Sequence, residues 1–415
     1  MAMEDSRYRD SSQYRLWSFS PTQLADVREK TNTAARARIQ ERLLSNPPPA
    51  TAPSSNNVSA PTSNANTPDP DGSGTPKPPA TPEFLTPAEE SLLVNFNTSE
   101  LLRAAEVFEF SDNIKATGAI FFKRFYVTNS IMTYPPQEMM IVALFFGCKA
   151  EGAFPNINEF IKIFNKKSAE EILAGEFLLF QGLRFALEVK HPFRALRGAM
   201  MELRALGEFD PNHLTTVERK AREILQFSPL MTDAYFHYTP SQIMLAALSL
   251  ADRGLAERLL QKTFHFVAPS SGADTPISGS ATPAAEDQAA LIGSQLRDKV
   301  LGAIEACRDM LSKELPERRE HWTNKSFIKT QIGPVRRKLK KCCDPERWNL
   351  VELQRTRREQ ASKRAESDDE DGDGEKPVKM EDDGAIFGEP LSSRDPKRKK
   401  IKLEPGLQDP FGPAM

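Results

Sequence analysis

Two stretches of this sequence, 104 residues apart, begin in the same way. One reads Tyr134-Pro135-Pro136-Gln137-Glu138-Met139-Met140-Ile141-Val142-Ala143-Leu144-Phe145-Phe146, the other Tyr238-Thr239-Pro240-Ser241-Gln242-Ile243-Met244-Leu245-Ala246-Ala247-Leu248-Ser249-Leu250. Without a gap, Tyr134/Tyr238, Pro136/Pro240, Met140/Met244, Ala143/Ala247 and Leu144/Leu248 coincide. Proline in a first turn gives up an N–H that has no helical partner there, so both stretches read as helix starts. Almost every later position is apolar, which suits helices buried on all sides. A repeat of about a hundred residues is too long for a solenoid unit and predicts two copies of a small domain. Two unrelated core helices that each begin at proline are the alternative.

Composition fixes where such domains can lie. Of 415 residues, 39% are hydrophobic and 32 are proline, an apolar content low for a wholly globular chain. Stretches 46–82 and 268–287 are dominated by small and polar residues, and from about Ser362 onward the chain is charged and almost free of aromatics. Such segments bury too little apolar area to offset the entropy of ordering and are expected to be disordered. The organisation predicted is an N-terminal helical segment (1–45), a disordered linker (46–82), a first fold (83–188) and a second (189–315, with an insertion at 268–287). A basic helical region (316–360) and a disordered charged tail (361–415) follow.

Net charge is −2, which argues against bulk nucleic-acid binding by the whole chain, but charge is segregated. Residues 336–341 are basic, Glu366–Glu375 acidic and Lys397–Lys400 basic again. Cys148, Cys307, Cys342 and Cys343 form neither a CxxC pair nor a disulfide framework, which fits a reducing compartment. Met1–Arg7 does not read as a signal peptide and the apolar run 139–147 is too short to span a bilayer, so a soluble intracellular protein is expected.

Thr86-Pro87-Ala88-Glu89 combines a cap, a first-turn proline and a capping-box acid. From there, helical spacing predicts helices near 87–108, 112–127, 135–149, 156–164, 168–182, 192–206, 211–227, 239–251, 254–266, 288–312 and 325–341. No segment alternates like a strand, so the fold class is all-α, with about five helices per copy.

Catalytic signatures are missing. There is no phosphate loop, dinucleotide motif, kinase set or nucleophile elbow. The five histidines stand singly, without zinc spacing. No catalytic residue, metal or cofactor is expected. Two charged residues do stand out. Lys149 ends the most apolar helix, where a cation also complements the helix dipole. Glu176 is the lone acid in Ile172–Phe180, where a solvated helix face is the alternative.

The stretch Phe121-Phe122-Lys123-Arg124-Phe125-Tyr126, then Gly147-Cys148-Lys149-Ala150-Glu151, then Glu176, resembles the first box of the cyclin family, and Tyr238–Arg253 resembles the matching helix of the second cyclin fold. The resemblance implies two tandem five-helix folds with flanking helices. It also implies that Lys149 and Glu176 contact a cyclin-dependent kinase catalytic subunit, with Glu151 beside them and Phe146 and Phe180 as apolar anchors on the same stripes. Gly152 departs from the family, in which many members carry a second acid, so the acidic supplement to that contact is weaker.

Further segments, Tyr14–Ser20, His191–Arg194 and Leu230–Tyr235, are most similar to the branch of the family serving the kinase that activates other cyclin-dependent kinases within transcription factor IIH. That implies a RING-finger assembly factor and the transcription factor IIH core as further partners, with no membrane and no sequence-specific nucleic acid. A cyclin of the Mediator kinase module explains Tyr14–Ser20 and Leu230–Tyr235 less well. A transcription-factor-IIB-like protein, also built from two such folds, would need a zinc ribbon and a basic core.

Lys397, Arg398, Lys399 and Lys400 read as a nuclear localisation segment, with a solvated charge run as the alternative. Lys379 and Lys402 sit in apolar-Lys-x-Glu contexts suited to SUMO, and Ser20, Thr67, Thr75 and Thr81 precede proline as acceptors for a proline-directed kinase.

Overall fold

The computed structural model describes residues 8–45, 82–166, 168–263 and 298–370, and every regular element among them is helical. The chain divides into two units, Met1–Gln360 and Ala361–Met415. In the first, α1 (Ser12–Trp17) and α2 (Pro21–Ser45) precede a bundle of α3 (Pro87–Val107), α4 (Asp112–Thr128), α5 (Pro136–Ala150), α6 (Ile157–Ile163), α7 (Glu170–Leu173) and α8 (Glu176–Gly182). The second bundle comprises α9 (Phe193–Leu206), α10 (Pro211–Leu225), the single turns α11 (Ser228–Met231) and α12 (Ala234–His237), α13 (Pro240–Ala251), α14 (Arg253–Thr263) and α15 over 298–311. After α16 (Arg319–Thr323), a continuous helical run comprises α17 (Lys325–Phe327), a π turn (Ile328–Ile332) and α18 (Gly333–Cys342), and α19 (Leu350–Glu370) follows. The predicted linker (apart from Pro82), the insertion at 268–287 and the tail beyond Glu370 lie outside the described residues.

The repeated helices are the hubs. α5 packs on α3, α4, α7 and α8, and α13 on α9, α10 and α14. Both bury nearly continuous apolar runs, Met139–Phe145 and Ile243–Leu248. The predicted capping box forms at α3, where Thr86 Oγ1 accepts from Glu89 N–H (3.2 Å) and Glu89 Oε2 accepts from Thr86 N–H (2.8 Å). Thr239 and Gln242 make the same reciprocal pair at α13. α4 and α5 cross in backbone contact: a Cβ on Gly147 would lie 2.9 Å from the Gly118 nitrogen.

Two elements depart from expectation. The single helix read over 168–182 is broken between α7 and α8, around Gly175, whose backbone lies against α5. A Cβ there would sit 2.7 Å from Val142 Cγ2. Helix α19 runs on to Glu370, past the point at Ser362 where disorder was expected. Residues 350–370 contain neither Gly nor Pro and are rich in Glu, Arg, Gln and Ala, so local propensity favours helix without a large apolar face.

Buried charges fasten the first fold to the second and to the flanking segments. Lys123 on α4 is 3% exposed and donates to the carbonyls of Leu230 (3.2 Å) and Thr232, with Asp233 3.6 Å away. Arg28 on α2 clamps the same carboxylate with two 2.8 Å hydrogen bonds. Arg124, 1% exposed, donates to the Glu188 carbonyl (3.3 Å) and faces the Trp17 ring at 5.4 Å, while Arg184 faces that ring at 5.3 Å. Fully buried Asp344 receives Arg42, lies 3.9 Å from Arg38 and 4.0 Å from Arg347, and ties α2 to the C-terminal region.

Candidate functional site

The last turn of α5 and the first turn of α8 converge because Gly175 seats the start of α8 against Val142. This brings Lys149 and Glu176 together, Nζ lying 2.8 and 3.1 Å from the two carboxylate oxygens. The pair stays about a fifth exposed (17% and 20%), and the ammonium also lies 4.7 Å from the Phe145 ring. Its charges are held in place yet open to a partner.

Around the pair lies an aromatic surface. Phe146 and Phe180 are both partly buried, with ring centroids 5.9 Å apart, and Phe146 leans on Phe121 at the same distance. Phe180 meets Phe185 edge-on at 4.7 Å. Phe185 is 60% exposed and Phe177 is 58% exposed. Both were missed in the sequence, Phe177 because it sits in an apolar run that reads as core. The broken helix is the missing signal: α8 is only seven residues long, and it turns Phe177 out while Leu178 and Leu179 go in. Aromatic side chains rimming a buried-end charge pair suit protein recognition.

Glu151, the C-cap of α5, is turned toward its own chain. The single proton of the Thr117 hydroxyl goes to Glu151 Oε1 (2.6 Å), so Thr117 accepts from His191 Nε2–H (2.8 Å), and His191 Nδ1 accepts from the Tyr235 hydroxyl (2.9 Å). Burial, reinforced by Arg124, pushes the His191 imidazole down to about 3, consistent with one neutral tautomer. A polarised chain thus runs from the second fold to the end of α5. Gly152 follows with φ of +74°, a left-handed turn that releases the chain after the helix. A residue with a side chain at that position would carry strain.

Ser20 is exposed and caps α2, its Oγ accepting from Gln23 N–H at 3.2 Å. Thr67, Thr75, Thr81, Lys379, Lys402 and Lys397–Lys400 lie outside the described residues. Among the described residues no His/Cys/Asp/Glu group could hold a metal ion.

Known proteins match this architecture. The cyclin N-terminal domain profile matches residues 84–188, and the cyclin C-terminal domain profile matches 191–312. Cyclin CCL1 of Saccharomyces cerevisiae is 30% identical over 263 residues, 63% of this chain and 62% of that protein's own length. A chain in the structure of the CAK complex from Chaetomium thermophilum bound to ATP-γ-S is 63% identical, with a TM-score of 0.72, covering 87% of this chain and 96% of that one. A chain of the yeast TFIIK (Kin28/Ccl1/Tfb3) complex shares the fold at 24% identity, with a TM-score of 0.50 over 73% of this chain and all of that one.

Proposed function

This chain is a member of the cyclin family, and from that premise we propose that it is the cyclin-H-type regulatory subunit of the CDK-activating kinase of transcription factor IIH. It binds and activates a cyclin-dependent kinase catalytic subunit that phosphorylates the RNA polymerase II C-terminal domain and other cyclin-dependent kinases. The observation that carries this reading is the 63% identity over 96% of a chain from a CAK complex.

The mechanism is allosteric, with no bond chemistry by this chain. A kinase is active when the Glu of its αC helix pairs with the Lys of its β3 strand. The α5–α8 surface would hold αC there, with Phe146, Phe180, Phe177 and Phe185 giving apolar contact and Lys149 and Glu176 fixing register. Glu151 contributes by steadying the last turn of α5 through its bond from Thr117, at the edge of the contact. A RING-finger assembly factor and the transcription factor IIH core complete the set of partners. The site of action is the nucleus, with Lys397–Lys400 as the import segment.

Purification of the tagged chain from its own cells, followed by mass spectrometry, tests this. A cyclin-dependent kinase together with a RING-finger factor is the expected recovery. Mediator subunits in their place would reassign the chain to a cyclin-C-like role.

A further inference from the structure

Between Glu320 and Asp344 the chain has no acidic residue but seven cations, Lys325, Lys329, Arg336, Arg337, Lys338, Lys340 and Lys341. Two of them serve the fold. Arg336 lies 4.6 Å from the Phe96 ring centroid, and Lys338 bonds Glu89 (2.9 and 3.1 Å) and pairs with Glu83 (2.8 Å). The other five, Lys325, Lys329, Arg337, Lys340 and Lys341, are exposed, and among the described residues none has an ion pair or a side-chain hydrogen bond.

Helix register gathers these five. Arg337, Lys340 and Lys341 share one face of α18 at i, i+3 and i+4, and Lys325 and Lys329 share another at i and i+4. In an unbroken α-helix the step from Lys325 to Arg337 would rotate the second group roughly 120° from the first. The π turn Ile328–Ile332 closes i→i+5 and is underwound, which takes back roughly 70° of that rotation. The five cations then line one side over about 24 Å of helix, opposite the buried Ile332, Val335, Leu339 and Cys342.

The residues between the cations select the partner. Ser326, Thr330, Gln331 and Pro334 are exposed, and no large apolar side chain stands among them. A protein partner would be anchored by buried aromatic or aliphatic groups, which this face does not offer. Lysine, arginine and short polar side chains are what touches phosphate and sugar without reading bases. We propose that this face binds the phosphate backbone of nucleic acid, independently of sequence.

Fluorescence anisotropy of the full-length chain with labelled single-stranded oligodeoxynucleotides of differing sequence, over a salt series, tests it. Similar affinities for all sequences are expected, with log K falling against log salt at a slope of roughly −3, as for four to five phosphate contacts. The combined Lys325→Gln, Lys329→Gln, Arg337→Gln, Lys340→Gln and Lys341→Gln variant, shown helical by circular dichroism, should lose most of that slope and at least about tenfold in affinity at low salt. Neutralising Lys397–Lys400 should leave the difference between the two proteins intact. Unchanged affinity and slope in the five-site variant would overturn the proposal. So would equal displacement by an oligoglutamate peptide of matching charge, which would assign the face to an acidic protein segment.

Discussion

Lys149 and Glu176 neutralise each other in the free protein, which makes them inexpensive to keep and consequential to remove. As a partly exposed pair they contribute at most about 1 kcal/mol to folding. In the proposed complex a partner helix covers them, and deleting one charge would leave the other buried and unpaired, at about 2–5 kcal/mol. Lys149→Ala and Glu176→Ala should therefore each weaken binding to the catalytic subunit by more than about tenfold, with little change in melting temperature. Calorimetric titration and a kinase assay would measure this, and normal affinity and activation in both variants would sink the assignment. At this scale the sequence named Lys149 and Glu176 separately, and the structure pairs them. The sequence was silent on Phe185, which lies three residues beyond α8 in a left-handed turn, with φ of +57°, and is exposed.

At the scale of elements, packing distances decided what local signals could not. The capping boxes and first-turn prolines mark the starts of α3 and α13 in the sequence itself. The break between α7 and α8 does not show there, because a glycine inside a helical pattern is ordinarily tolerated. In the structure that glycine packs closely against Val142. The π turn was equally hidden, since its residues, Ile-Lys-Thr-Gln-Ile, carry no distinguishing pattern. Glycines can be compared directly. Gly147→Ala forces α4 and α5 apart at a backbone contact, and urea denaturation should show a loss of about 1–3 kcal/mol. Gly198→Ala, inside α9 with no atom within 4 Å of the added Cβ, should instead gain about 0.5–1 kcal/mol. Equal effects of the two would refute the close-contact reading of Gly147.

For the molecule as a whole, two buried groups link stability to pH in opposite directions. Burial raises Glu90, which faces Ser130, Asn32 and Arg36 between α2 and α3, to about 7. The folded state then binds the extra proton between the ordinary carboxyl value and 7, so this group's contribution falls as pH rises through that window. His191, facing Thr117, Tyr235 and Arg124, is depressed to about 3, so the unfolded state binds the extra proton below the ordinary histidine value and stability falls with acid. Between about pH 4.5 and 6.5 the two slopes offset each other. Glu90→Gln should expose a loss of stability on acidification of up to about 1.4 kcal/mol per pH unit, and His191→Asn the reverse slope. Chemical denaturation across that range would detect both, and parallel curves for the two variants would refute the linkage. None of this was legible beforehand. Lys123 and Arg124 read as part of a widespread motif, and their partners at 188 and 230–233 are neighbours only in space.

Those distant partners also set a timetable for the ribosome. Lys123 emerges more than a hundred residues before the Leu230 and Thr232 carbonyls that receive it. Until they are synthesised, burying that ammonium would leave it without its carbonyl partners, so water must serve in their place. Burial of that charge is therefore completed only once the second bundle is present to receive it.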